Sequence, residues 1–179
     1  MRKDNRNFLD ILVRYSILIL SALPNLAIFY WVFTPLTLYA VYFLFSLFFS
    51  VSISGTTITL GENFIISLIP ACVAGAAYYL LFILNMSVPK IKISKRINLL
   101  LIAFFSFFVA NVLRIFIMGV LYFNSAPFSD FLHKFLWYFG SVFLTVGIWF
   151  LEIHFFKIKG IPFYSDLKFI YKKSIFNKR

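Results

Sequence analysis

Reactive side chains are scarce in this chain of 179 residues, which holds one cysteine, Cys72, two histidines, His133 and His154, and six acidic residues. A single cysteine excludes an internal disulfide and a multi-cysteine metal centre, and two histidines leave little from which to build a zinc site. No cofactor motif is present either. Charged residues make up only 13% of the chain, against roughly a quarter in a soluble domain. In their place 62% of the residues are hydrophobic and 22% aromatic, 26 of them Phe. A soluble fold cannot hide that much apolar surface. Apolar runs of about 20 residues recur, which points to lipid as the solvent and to elements that satisfy their backbone hydrogen bonds internally. Continuous runs, without apolar and polar residues alternating, exclude a transmembrane barrel and leave a helical bundle. The net charge of +11 then reports orientation against anionic lipid and not a nucleic-acid partner.

The first long run extends from Ile11 to Phe33, interrupted at Pro24-Asn25, and a second from Pro35 to Ser50. Arg14 lies near enough to an end of the first run to snorkel. The opening Met1-Arg2-Lys3-Asp4-Asn5-Arg6 resembles the basic start of a signal peptide, but no small-residue cleavage site follows, so an uncleaved anchor is expected. Beyond Ser50 the texture changes: Val51, Ile53, Thr56, Thr57, Ile58 and Thr59 are β-branched, and Gly55 and Gly61 punctuate them. That pattern predicts an extended loop or hairpin at the membrane surface. Three further runs follow, Phe64 to Met86, Ile97 to Phe123 and Asp130 to Phe156.

Lysine and arginine concentrate between Lys90 and Arg96 and again after Lys157. The positive-inside rule makes both stretches cytoplasmic and the loops 51–63 and 124–129, which lack Lys and Arg, outward-facing. Two crossings before residue 51 would put the amino terminus outside, whereas Arg2, Lys3 and Arg6 argue for inside. Three solutions stay open: a re-entrant or surface helix at 35–50, a first segment lying along the interface, or a carboxy-terminal charge bias that overrides the smaller one. In the tail, Gly160-Ile161-Pro162 stops the last helix. Ser165-Asp166 is placed to cap a short interfacial helix with Leu167, Ile170, Tyr171 and Ile175 as its apolar stripe. The expected fold is thus an all-α polytopic transmembrane bundle of about five hydrophobic helices. The second is a crossing or a re-entrant segment, and an outward-facing extended loop or hairpin lies around 51–61. The whole forms one integral membrane domain over 1–179, of which 157–179 is a basic cytoplasmic tail, in a multi-pass protein of the plasma membrane.

An ionisable residue within a membrane bundle is expensive and by default marks function. Arg114 lies nine residues before Phe123, hence roughly 13 Å from the outer end of its helix. Cys72, counted from Phe64, lies roughly 12 Å deep by the same rise. His133 opens the last helix on the outer side, while His154 falls roughly 30 Å along it, beside Glu152 near the cytoplasmic surface. A thiol, a guanidinium and an imidazole from three helices therefore converge on the outer leaflet. A nearby cation favours the thiolate, the nucleophilic form. Imidazole can take the thiol proton and return it to a leaving amine, and guanidinium can stabilise an oxyanion. Asn111 shares the helical face of Arg114 and is placed to orient the guanidinium or a substrate. A structural Arg114 would need an acidic partner, and Asp10, Asp130 and Glu152 are not evidently at its depth.

Ala71-Cys72 followed by Gly75, then Asn111-Val112-Leu113-Arg114-Ile115, then His133, resembles the exosortase/archaeosortase family of membrane cysteine transpeptidases, and the short length its small archaeal members. The resemblance covers roughly residues 50 to 156. It implies Cys72 as nucleophile, Arg114 as electrostatic stabiliser and His133 as acid/base, with the active site facing outside. It also implies the partners: secreted proteins ending in a short motif, a transmembrane helix and a basic cluster. These would be cleaved through a thioester and transferred to an acceptor amine, expected on a membrane lipid. One departure stands out. The family commonly carries glycine two residues after the cysteine, whereas here that position is Ala74 and glycine follows at 75. Ala74, Gly75, Ala76 and Ala77 form a small-residue surface suited to a neighbouring helix of the protein, or to the tail of a substrate. The competing expectation is a non-enzymatic transporter or scaffold in which Arg114 and His133 bind an anion and Cys72 merely packs.

Overall fold

The computed structural model describes residues 2–61, 64–89, 91–158, 162 and 164–173. It opens with helix α1, Arg2–Ala22, followed by a tight turn in which Asn25 and Leu26 have φ of 49° and 60°, and by α2, Ala27–Ser46. The imino ring of Pro24 donates no hydrogen bond and Asn tolerates the left-handed region, so the chain breaks here. The break expected before Pro35 does not occur, because that residue lies inside α2. Non-proline neighbours continue the hydrogen-bond ladder around it, as membrane helices allow.

Three antiparallel strands follow, β1 Val51–Ser54, β2 Thr57–Leu60 and β3 Phe64–Ser67, in the order β1-β2-β3. The first pair is the expected hairpin: Ser54 faces Thr57, and Gly55 takes the positive φ of 60° that a two-residue turn needs. The third strand replaces the expected start of a helix at Phe64. The β-branched Ile65 and Ile66 pair with Thr59 and Ile58, and helix begins only at Pro70, whose fixed φ suits a first helical position. The sheet turns Ile58 and Leu60, both essentially inaccessible, onto Leu38, Val41, Phe45, Val112 and Ile115. It closes one end of the bundle.

The remaining helices are α3 Pro70–Val73, α4 Gly75–Met86, α5 Ile93–Phe123, α6 Ser129–Phe135, α7 Ser141–Phe156 and α8 Tyr164–Lys173, with a π-helical turn over Leu136–Gly140 joining α6 to α7. Side-chain pairings give their directions. Phe33 meets Phe104 and Phe45 meets Phe116, so α2 runs with α5. Arg96 reaches the carbonyls of Asn85 and Met86 while Tyr78 meets Phe107, so α4 runs against α5. Arg114 bonds Ser141 and Lys95 bonds the carbonyl of Phe156, so α7 also runs against it. At mid-height the ring of Phe33 stacks on Tyr78 at 3.5 Å, and Phe104 and Phe107 present edges to Tyr78 at 5.7 and 4.8 Å. Each such aromatic pair adds about 1 kcal/mol beyond burial. At Gly119 of α5 an added Cβ would come 2.5 Å from the ring of Phe45, so α2 can approach only a glycine there.

The two ends of the bundle differ in chemistry. At the sheet end Phe123 packs on Phe49 and Phe64, so the strands and the 124–129 loop share a side. At the other end cations meet helix C-termini. Arg96 donates to the carbonyls of Asn85, Met86 and Val88 at 2.7 to 2.9 Å, groups left without intrahelical partners where α4 stops. Arg14 does not snorkel. Its side chain is 5% exposed and bonds the carbonyl of Met86 and the carboxylate of Asp166, each at 3.1 to 3.2 Å, because that pairing satisfies it inside the fold. Asp166 accordingly lies within the first turn of α8, not at its cap. Leu167, Ile170 and Tyr171 stay exposed, and Ile175 falls outside the described residues.

Three helical stretches are long and apolar enough to cross a membrane: Ala27–Ser46, Ile93–Phe123 and Ser129–Phe156. Pro70–Met86 is apolar but shorter. Large apolar side chains point outward along these helices, Trp31 at 82% exposure and Phe143 at 71%, which a protein embedded in lipid tolerates and a soluble one does not. The helix α1, with its several charges, is not among the three. Only one long apolar helix therefore precedes the sheet, and the basic end gathers Arg14 of α1 with Arg96 and Lys95.

Candidate functional site

Cys72 sits in the only turn of α3, in the third position from Pro70 and not eight residues into a helix, since Phe64–Ser67 is strand. Its amide donates to the carbonyl of Ile69 at 2.8 Å. The turn ends at Ala74, which adopts φ 60° and ψ 44°, a left-handed conformation rare outside glycine, and α4 restarts at Gly75. Cys72 is half-buried and packs against the apolar cluster beneath the sheet. Gly75 faces the ring of Tyr30, where a Cβ would approach to 2.7 Å, so this part of the small-residue surface serves contact with α2.

From α5, the fully buried Asn111 points its amide nitrogen at the carbonyls of Cys72, at 2.9 Å, and Val73, at 3.5 Å. One turn later Arg114 lies within electrostatic range of Cys72. Its Nη1 donates to Ser141 Oγ at 2.7 Å. The three acids considered for it are engaged elsewhere: Asp10 with Arg14, Asp130 with the Tyr122 hydroxyl, and Glu152 with Asn85. A neutral hydroxyl thus holds the guanidinium without cancelling its charge. His133 lies in α6, with Tyr122 at 5.9 Å and Trp137 at 6.1 Å between ring centroids. The structure thus brings Cys72, Asn111 and Arg114 together, and sets His133 beside Tyr122 and Trp137. His154 is exposed near the basic end, whereas its neighbour Glu152 is buried.

A cavity of about 290 Å³ opens between α3–α4 and the π turn with α7, lined by Ala71, Ala74, Ala77, Trp137, Ser141 and Thr145 among others. Its walls touch each candidate at one remove: Ala71 adjoins Cys72, Ser141 accepts the bond of Arg114, and Trp137 carries the ring against His133. Ser141 and Trp137 escaped sequence reasoning, although Gly140-Ser141 offered a signal, a small hydroxyl residue where the last apolar run is broken. The π turn itself could not be read from sequence. Such turns shift helix register and are frequent at functional sites. Among the described residues no group of three or more His, Cys, Asp or Glu is placed to hold a metal ion. No family model, no curated protein and no solved structure matches the chain.

Proposed function

We propose that the chain is a membrane-embedded cysteine transpeptidase of the exosortase/archaeosortase type, with Cys72 as nucleophile, Arg114 as electrostatic stabiliser and His133 as acid and base. The observation that carries this reading is the cavity whose rim joins the immediate neighbours of all three residues. The backbone at Ala74 adds support. The resembled family commonly carries glycine two residues after its cysteine, and here that position has the φ of 60° that glycine adopts without strain. The missing glycine is therefore a change of side chain at a position whose backbone still has the glycine conformation.

In the proposed reaction the Cys72 thiol gives its proton to His133, and the sulfur attacks the scissile carbonyl carbon of a peptide in the cavity. The oxyanion forms beside the charge of Arg114, where low dielectric strengthens the attraction. The C–N bond breaks, the leaving amine takes the proton back from His133, and the substrate remains as a thioester. An acceptor amine, on a membrane lipid, then attacks the thioester and releases the thiol. The substrates are secreted proteins with a short motif, a transmembrane helix and a basic cluster at the carboxy terminus. The sheet end faces outside and the basic end the cytoplasm, which follows from the charge bias and suits a substrate whose scissile bond emerges in the outer leaflet.

One observation favours a second reading: a guanidinium whose hydrogen-bond partner among the described residues is a neutral hydroxyl also suits a site that binds an anion without reaction. Co-expression with a protein carrying a tripartite tail separates the two. Processing should be lost in Cys72→Ala, and undiminished processing in both Cys72→Ala and Cys72→Ser would overturn the transpeptidase.

A further inference from the structure

Ala74 breaks the helix at a point where the carbonyls of the preceding turn lose their ordinary partners. In an unbroken helix the carbonyls of Cys72 and Val73 would accept from amides four residues on. Instead, the amide of Ala77, the ordinary donor to Val73, turns to the carbonyl of Ala74 at 2.9 Å, beside that carbonyl's ordinary donor Tyr78 at 3.4 Å. A buried carbonyl without a donor costs about 1 to 3 kcal/mol, and the donor supplied here is Asn111 Nδ2. The opposite amide orientation would set oxygen against oxygen, so the two carbonyls fix the side chain. Among the described residues its own buried Oδ1 has no hydrogen-bond partner, which leaves no competing contact there for that orientation. Asn111 is 1% exposed and stands one helical turn before Arg114, so a single face of α5 carries both the group that grips the backbone of Cys72 and a cation within electrostatic range of it.

We infer that Asn111 is a positioning residue: by holding the carbonyls of the severed Cys72 turn it keeps the thiol opposite Arg114 and thereby sets the thiol's reactivity. This rests on Cys72 being the reactive group of the site, but it concerns thiol chemistry and not a substrate. Cys72 is the only cysteine, so alkylation of the full-length protein in membranes by N-ethylmaleimide, a membrane-permeant reagent, reads this residue alone. At neutral pH, Asn111→Ala should slow alkylation by about tenfold, and so should Arg114→Met. The double variant should be no slower than Arg114→Met, because two changes that act through one contact do not add. Asn111→Gln keeps the donor and should recover most of the rate, while Asn111→Leu, of similar size without any donor, should behave as Asn111→Ala. A simple packing role predicts the opposite sign, since loosening the turn would expose the thiol and speed its alkylation. A rate equal to or above wild type in both Asn111→Ala and Asn111→Leu, or additive losses in the double variant, would overturn the inference. If these alkylation results hold while processing proves independent of Cys72, the positioning role stands and the transpeptidase reading falls.

Discussion

Arg114 donates to Ser141 Oγ at 2.7 Å, linking α5 to the first residue of α7 directly after the π turn. A cation deep in an apolar bundle is thus tethered by a neutral acceptor, and the tether aims it at the cavity that Ser141 itself lines. In the proposed reaction this arrangement keeps the positive charge available to the negative charge that develops at Cys72.

Removing that acceptor should cost both activity and stability. Ser141→Ala is expected to slow tail processing by about tenfold and to lower the stability in detergent by about 2 kcal/mol, the loss of one hydrogen bond from a charged group. Ser141→Thr keeps the hydroxyl and should retain most activity. Initial rates of processing, measured beside thermal melts of each variant, check both halves.

The left-handed residue at the helix break makes a prediction with the opposite sign. A non-glycine residue at φ 60° carries about 1 kcal/mol of backbone strain. Ala74→Gly should therefore stabilise the fold by about that amount and keep processing intact, whereas the β-branched Ala74→Val should destabilise it. Chemical denaturation in detergent reads the sign directly.

The cavity walls are small for a reason that substitution can expose. Ala77→Phe places a ring in the space of about 290 Å³ and should abolish processing without lowering the melting midpoint. Retained processing would remove the cavity from the site.

Arg14 and Asp166 form a buried pair, each side chain 5% exposed, that joins the first and last described helices. Arg14→Ala leaves the Asp166 carboxylate buried without its cation and should destabilise by about 3 kcal/mol, whereas Asp166→Ala leaves Arg14 paired with Asp10 and should cost less. The double variant should lose less than the sum, with the coupling measured by a double-mutant cycle.

Sidedness has its own check. In a Cys72→Ala background an impermeant thiol reagent should label Ser125→Cys, in the loop beside the sheet, from outside the cell, and should reach Ser94→Cys only after the membrane is opened. The reverse pattern would invert the bundle.

The sequence made the long helices plain because lipid demands continuous apolar runs: α5 ends at Phe123 and α7 at Phe156, where the runs end. It also announced the hairpin through β-branched residues and Gly55. It hid β3, because Phe64-Ile65-Ile66 is as apolar as the helix that was expected to begin there, and only the pairing with β2 decides the matter. It hid the role of Pro35, which a membrane helix absorbs without a break. Arg14 misled for a related reason. Its partner Asp166 is 152 residues away in sequence, and no local rule connects them. The candidates Cys72, Arg114, Asn111 and His133 stood out because they are rare or out of place, and the structure links the first three while setting His133 beside Tyr122 and Trp137. What Asn111 holds was not legible, since it depends on carbonyls freed by a helix break at Ala74 that composition does not announce.

Mass spectrometry of the peptide containing Cys72, taken from membranes in which the chain and a tail-bearing protein are made together, tests the central claim most directly. The account predicts a hydroxylamine-labile adduct on Cys72 whose mass matches the cleaved substrate, and its absence from Cys72→Ala. Efficient processing with Cys72 unmodified throughout, or processing that persists in Cys72→Ala, would contradict it.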